Sequence, residues 1–219
     1  MSLRKIVKSI FKTLVNIPEP KQIRSKEALE RFLSAGERLL AENRYEEAGI
    51  AQLARESDSS VGTFYRLLTD KETLSLLLLQ RFFTQMEETI TYTLDPVKWE
   101  GKGVVDIANK FISVFVDLYK GRAGTLRAMI LRASKDPLFR NQVHQLNNLI
   151  CQHLAYLLVQ RKEEITHPKP DIAISSVTHM VLGILNQHTI TGSLGNLSKR
   201  SLTLELTRVF VNYLGVNTK

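Results

Sequence analysis

The stretch 48–74, AGIAQLARESDSSVGTFYRLLTDKETL, gathers the side chains of this chain best suited to contacting a polyanion. Ser60, Thr63 and Tyr65 bring hydroxyls, Arg66 and Lys71 bring cations, and Gly62 lets the backbone approach a surface closely. Such groups bind phosphate oxygens and base edges. Val61 offers only apolar contact, for example to a thymine methyl, and Arg55 is a further candidate for backbone or base contact. Bond-breaking chemistry has no comparable constellation. The sequence lacks a Gly-rich phosphate loop, HExxH, GxSxG and any Ser/His/Asp pattern beyond chance, so neither an enzyme nor a cofactor is expected. His144, Cys151 and His153 are near in sequence but make no metal-ligand spacing.

The elements around these residues must present them outward. Ile50, Leu53 and Ala54 give a short helix one apolar face, and Glu56-Ser57-Asp58-Ser59 interrupts it. A second short helix, Ser60–Leu68, places Phe64 and Leu68 inward and Thr63, Tyr65 and Arg66 beside them. Thr69-Asp70-Lys71-Glu72 then reads as an N-cap region opening a long apolar helix. Two short helices across a tight turn form the minimal unit that lays one helix in a DNA major groove.

Gly62-Thr63-Phe64-Tyr65-Arg66, followed in register by Asp70-Lys71-Glu72 and Leu74, resembles the recognition-helix signature of the TetR/AcrR family. Four departures stand out. Asp58 replaces a turn glycine, Ser59 a buried valine, and Leu67-Leu68 a His/Tyr-Phe pair, while Ala48-Gly49 stand where hydroxyl residues often cap the preceding helix. The resemblance implies that Ser60, Val61 and Gly62 form the leading edge of the recognition helix. It further implies that Thr63 and Tyr65 contact phosphate, that Arg66 reaches guanine or phosphate, and that Lys71 adds a cation at a helix start. Two bland readings stay open: Tyr65 as a packing residue and Arg66 as a partner of Glu72.

The 219 residues carry a net charge of +8 and 43% hydrophobic composition, enough for a substantial core. The charge is unevenly spread. Between Gln22 and Ser75 acids outnumber bases, and the positive excess lies in the N-terminal segment and the later helices. Sparse glycine and proline, clustered between apolar runs, favour an all-α protein. A single cysteine excludes an intrachain disulfide and suits a reducing, cytoplasmic setting. Leu3–Ile17 is basic and amphipathic, too short to span a bilayer and too rich in lysine for a secretory signal. It reads as a helix packed on the body, an arm on DNA phosphates, or a membrane-surface contact; no stable membrane association is expected.

Apolar spacing predicts helices over Ile23–Glu42, the two short ones above, Lys71–Leu94, Val104–Tyr119, Thr125–Ala133, Pro137–Ile165, Asp171–Thr191 and Lys199–Tyr213. The expected organisation is a basic extension over 1–21, a three-helix DNA-binding domain over 22–75, and a helical ligand-binding and dimerisation bundle over 76–219. The resemblance implies a repressor that binds a palindromic operator as a homodimer and responds to a hydrophobic small molecule. Candidate pocket residues are Phe111, Phe115, Leu126, Met129, Ile130, His144, Asn148 and Cys151. Candidate dimer residues are Val177, Met180, Val181, Ile184 and Leu185 with Leu206 and Phe210, on two helices more apolar than one surface can hide. The rival reading is a helical protein–protein interaction module whose DNA-reading head has degenerated.

Overall fold

The computed structural model describes residues 20–193, 195 and 197–217. Those residues form nine α-helices: α1 (Ile23–Ala41), α2 (Ile50–Glu56), α3 (Val61–Leu67), α4 (Lys71–Thr93), α5 (Val104–Gly121), α6 (Ala123–Lys135), α7 (Pro137–Val159), α8 (Pro170–Thr191) and α9 (Lys199–Tyr213). Short 3-10 turns follow α4 and α7, and no strand occurs among the described residues. The expected amphipathic segment Leu3–Ile17 lies outside them.

Side-chain caps fix four of the nine described helix starts. Ser60 Oγ accepts the Thr63 N–H at 3.1 Å to open α3, and an Asp70 carboxylate oxygen accepts the Thr73 N–H at 2.7 Å to open α4. Asp136 accepts the Phe139 N–H at 3.0 Å to open α7, and Ser198 accepts the Ser201 N–H at 3.0 Å to open α9. The two serine caps contribute about 1 kcal/mol each. Hydrogen bonds to the charged form hold both carboxyls below their ordinary range; Thr73 does so for Asp70, and Phe139, with help from Arg132, for Asp136. By contrast, α2 starts at Gly49 with no side-chain cap.

α7 and α6 differ most from the sequence expectation. α7 stops at Val159 rather than Ile165, because the Arg161 guanidinium folds back onto the Leu157 carbonyl at 2.7 Å and also binds the Trp99 and Lys102 carbonyls. α6 begins two residues early, at Ala123. Its Gly124 lies so close to the end of α1 that an added Cβ would sit 2.0 Å from the Leu40 carbonyl oxygen.

Apolar side chains gather in two cores. Phe32, Leu39, Leu53, Phe64, Leu68, Leu74 and Leu78 fill the front one, where Phe32 and Phe64 meet edge to face at 5.3 Å. The rear core packs α5 along α9 and α7 along α8, with Phe111 in contact with Phe115 and Phe210. α4 serves both: Leu74 and Leu78 belong to the front core, Leu79, Phe82 and Phe83 to the rear.

Candidate nucleic-acid interface

The turn between α2 and α3 sets the angle of the candidate reading helix. Asp58 adopts φ 47, the left-handed backbone that a glycine would take without strain. Asn43 does the same at φ 58 where α1 ends. The polar residues of the α2–α3 turn are satisfied from outside. Arg31 on α1 donates from Nε to the Ser57 carbonyl at 3.1 Å and from Nη2 to Ser59 Oγ at 3.3 Å. Ser59 Oγ in turn donates to the Ser57 carbonyl at 3.1 Å, and Ser57 Oγ donates to the Ala54 carbonyl at 3.0 Å. Arg38 binds both the Glu56 carbonyl and its carboxylate at 2.9 and 2.8 Å. α1 thus clamps the α2–α3 turn through two arginines, and Ser59 tolerates the place of a buried valine because Arg31 supplies a partner.

With that angle fixed, Phe64 points wholly into the front core, and Ser60, Val61, Gly62, Tyr65 and Arg66 share an exposed edge. Tyr65 is 57% exposed, its ring edge-on to Phe64 at 5.7 Å, so its hydroxyl is free to reach outward. Thr63 is half-buried, its hydroxyl 3.0 Å from Ser60 Oγ. Neither Arg66 nor the exposed Arg55 has a side-chain partner among the described residues; Glu72, the partner considered for Arg66, pairs with Arg132 instead. Lys71 is more constrained than its sequence position suggests. Its ammonium donates to the Glu46 carbonyl at 2.8 Å and lies over the Tyr45 ring, while the Tyr45 hydroxyl donates to the Lys71 carbonyl. Two of its three donors remain for another acceptor.

The acidity of the front helices is neutralised from behind. Arg81 pairs with Glu30 at 2.5 Å, Arg122 with Glu37 at 3.4 Å, and Arg132 with Glu72. Three arginines reach forward: Arg122, just before α6, and on α6 itself Arg127, which binds Asn43 Oδ1 as well as the Thr189 carbonyl of α8 at 3.1 Å, and Arg132. No local pattern in the sequence marks the links of Arg127 and Arg132, since their partners stand sixty or more positions away.

The rear candidates fare differently. Phe111, Phe115, Leu126, Met129 and Cys151 are buried and Ile130 is half-buried, but His144 and Asn148 face solvent on α7. The eight are therefore not brought together around one space. Cys151 Sγ lies 3.8 Å from His179, and burial pushes its thiol up to about 11. Among the described residues no group of three or more His, Cys, Asp or Glu is placed to hold a metal ion. Of the dimer candidates, Val177, Val181, Leu185, Leu206 and Phe210 are consumed by the chain's own core, which corrects their assignment to an interface. Met180 and Ile184 remain exposed, at 47% and 37%, as do Ile172 and Ile190 on α8 and Leu204, Val209 and Tyr213 on α9. No described helix is long and apolar enough to cross a membrane.

Known proteins share this arrangement. The family model of the tetracyclin repressor-like C-terminal domain matches residues 105–214. No curated protein matches the sequence. Among solved structures, a regulator assigned to the TetR family from Mesorhizobium loti superposes with a TM-score of 0.62 at 22% identity, over 89% of this chain and 98% of its own. Salmonella enterica GusR gives 0.62 at 18% identity, over 90% of this chain and 100% of its own. A transcriptional regulator from Rhodococcus sp. Rha1 gives 0.65 at 18% identity, over 87% and 98%. These structural likenesses speak for the fold, and the family match covers half the chain from α5 into α9. With a helix-turn-helix in front and an all-α bundle behind, the chain belongs to the TetR family of non-enzymatic, DNA-binding transcriptional regulators.

Proposed function

We propose that this protein is a ligand-responsive repressor that binds a palindromic operator as a homodimer, each subunit laying α3 in a major groove. The observation that carries the reading is the exposed edge Ser60–Val61–Gly62–Tyr65–Arg66, flanked by the unpartnered cation of Arg55. Ser60, Gly62 and Val61 approach the bases, Arg66 reads guanine or grips phosphate, and Thr63, Tyr65, Lys71 and Arg55 hold the backbone. The exposed apolar row on α8 and α9 supports pairing with a second copy, because Ile172, Met180, Ile184 and Ile190 leave one side of α8 uncovered. Arg127 supports ligand response, since it ties α8 to the α1–α2 turn through α6.

Fluorescence anisotropy on inverted-repeat duplexes, including the DNA flanking the gene, tests this. Wild-type protein is expected to bind with strong salt dependence. Lys71→Ala weakens all sequences alike and lowers the salt slope by about one phosphate, whereas Arg66→Ala costs about 1–3 kcal/mol on the preferred sequence and relaxes its choice. Absence of any salt-dependent binding overturns the reading. It would favour the second one, a protein–protein module with a degenerate head, to which the uncapped Gly49 and the apolar Val61 at the leading edge point.

A further inference from the structure

An open groove of about 910 Å³ runs between the C-terminal end of α4, the 3-10 turn after it, the outer face of α5 and the start of α9. It is separate from the core positions expected to hold an apolar effector. It also lies far from the reading head: Tyr92 sits 21 positions beyond Lys71 on one continuous helix, a distance of roughly 30 Å at 1.5 Å per residue.

The charge of this groove is one-sided. Lys98, Lys102, Lys110, Lys199 and Arg200 line it against only two carboxylates, both already engaged. Asp117 pairs with Lys199 at 3.1 Å, and Asp106 accepts the Gly103 N–H at the start of α5. Lys102, Lys110 and Arg200 have no side-chain partner among the described residues. Lys199 and Arg200 occupy the first two positions of α9, whose first turn holds no acid. Cations there oppose the helix dipole; Asp117 answers Lys199, and Arg200 is left without an anion among the described residues. The wall is aromatic as well as basic. Trp99 is mostly buried, its Nε1–H donating to the Thr93 carbonyl at 2.7 Å, and the exposed Tyr92 ring carries the Lys98 ammonium over one face. Asn109 and Ser113, on the same face of α5, add neutral donors and acceptors between rings and cations.

We propose that this groove binds a small molecule bearing both phosphate and a planar ring, the chemistry of a nucleotide or nucleotide-derived cofactor. Phosphate oxygens lie against Lys102, Lys110 and Arg200, while the ring rests on the exposed Tyr92, close enough to the buried Trp99 to alter its fluorescence. The volume exceeds what a bare phosphate needs and falls within the range of small-molecule sites. As an effector site the groove rests on the regulatory reading above. As a binding site it does not, so the experiment is run without DNA and the two proposals fail separately.

Trp99 is the only tryptophan, which makes its fluorescence a reporter of this groove. The full-length protein is titrated with ATP, GTP and NAD, and with inorganic tripolyphosphate and adenosine, alongside calorimetry. At least one nucleotide is expected to saturate, binding at least about tenfold more tightly than tripolyphosphate or adenosine, a gap of about 1.4 kcal/mol. Lys110→Glu and Arg200→Glu should each weaken it about tenfold or more without lowering the melting temperature, while Lys135→Glu, on a distant helix end, leaves it unchanged. No saturable change with any nucleotide at millimolar concentration overturns the proposal. So does equal binding of tripolyphosphate, which makes the ring irrelevant, or equal loss in the Lys135 variant, which makes the attraction diffuse.

Discussion

Asp58 carries the reading head's turn in a backbone conformation that disfavours L-residues, at φ 47. Replacing it with glycine removes that strain at the cost of a floppier unfolded chain. Asp58→Gly should therefore stabilise the protein by about 0.5–1 kcal/mol, read as a higher denaturant midpoint with an unchanged slope. A lower midpoint would mean that the Asp58 side chain earns its place through a contact of its own. The strain was legible in the sequence, because Asp stands where the TetR signature has glycine. Its compensation was not. Arg31 reaches Ser57 and Ser59 across 26 and 28 positions, and an arginine on the polar side of α1 reads like any solvated charge.

The capped helix starts were legible because a cap and its partner lie within three residues. The caps also make a pH prediction. Asp70 and Asp136 have native carboxyls lowered from an ordinary 3.8, so the stability they contribute is fully present above that value and is lost as pH falls through the lowered native ones. Denaturation midpoints across the acid range should fall accordingly. Asp70→Asn, which keeps a cap but cannot titrate, should flatten part of that fall. Contacts between elements were illegible in comparison. Gly124 looked like a loop residue between helices, yet it is where α6 meets the end of α1. Gly124→Ala should destabilise the protein by roughly 1–3 kcal/mol or more, since a methyl group cannot share space with the Leu40 carbonyl. A variant of unchanged midpoint would show that α6 can slide away from α1 without cost.

For the whole molecule, periodicity marked α8 and α9 as unusually apolar but not which apolar residues face the chain's own core. Val177, Val181 and Leu185 answer to one side of α8, and Met180 and Ile184 to the other. A sequence shows surplus apolar surface without assigning it, because intrachain and interchain burial obey the same period. The homodimer proposal now rests on the exposed set. Ile184→Glu should give monomers in sedimentation at micromolar concentration with the fold retained, whereas Val181→Glu should prevent folding. A wild-type monomer at that concentration would remove the dimer. One helix also decides how the molecule comes apart. Leu78 closes the front core and Leu79, the next residue of α4, opens the rear one, so the two cores share a wall one residue thick. Neither can melt without stripping an edge from the other. The chain is therefore expected to unfold in a single step, and a defect beside the DNA-reading helix lowers the melting point sensed at Trp99, at the far end of α4.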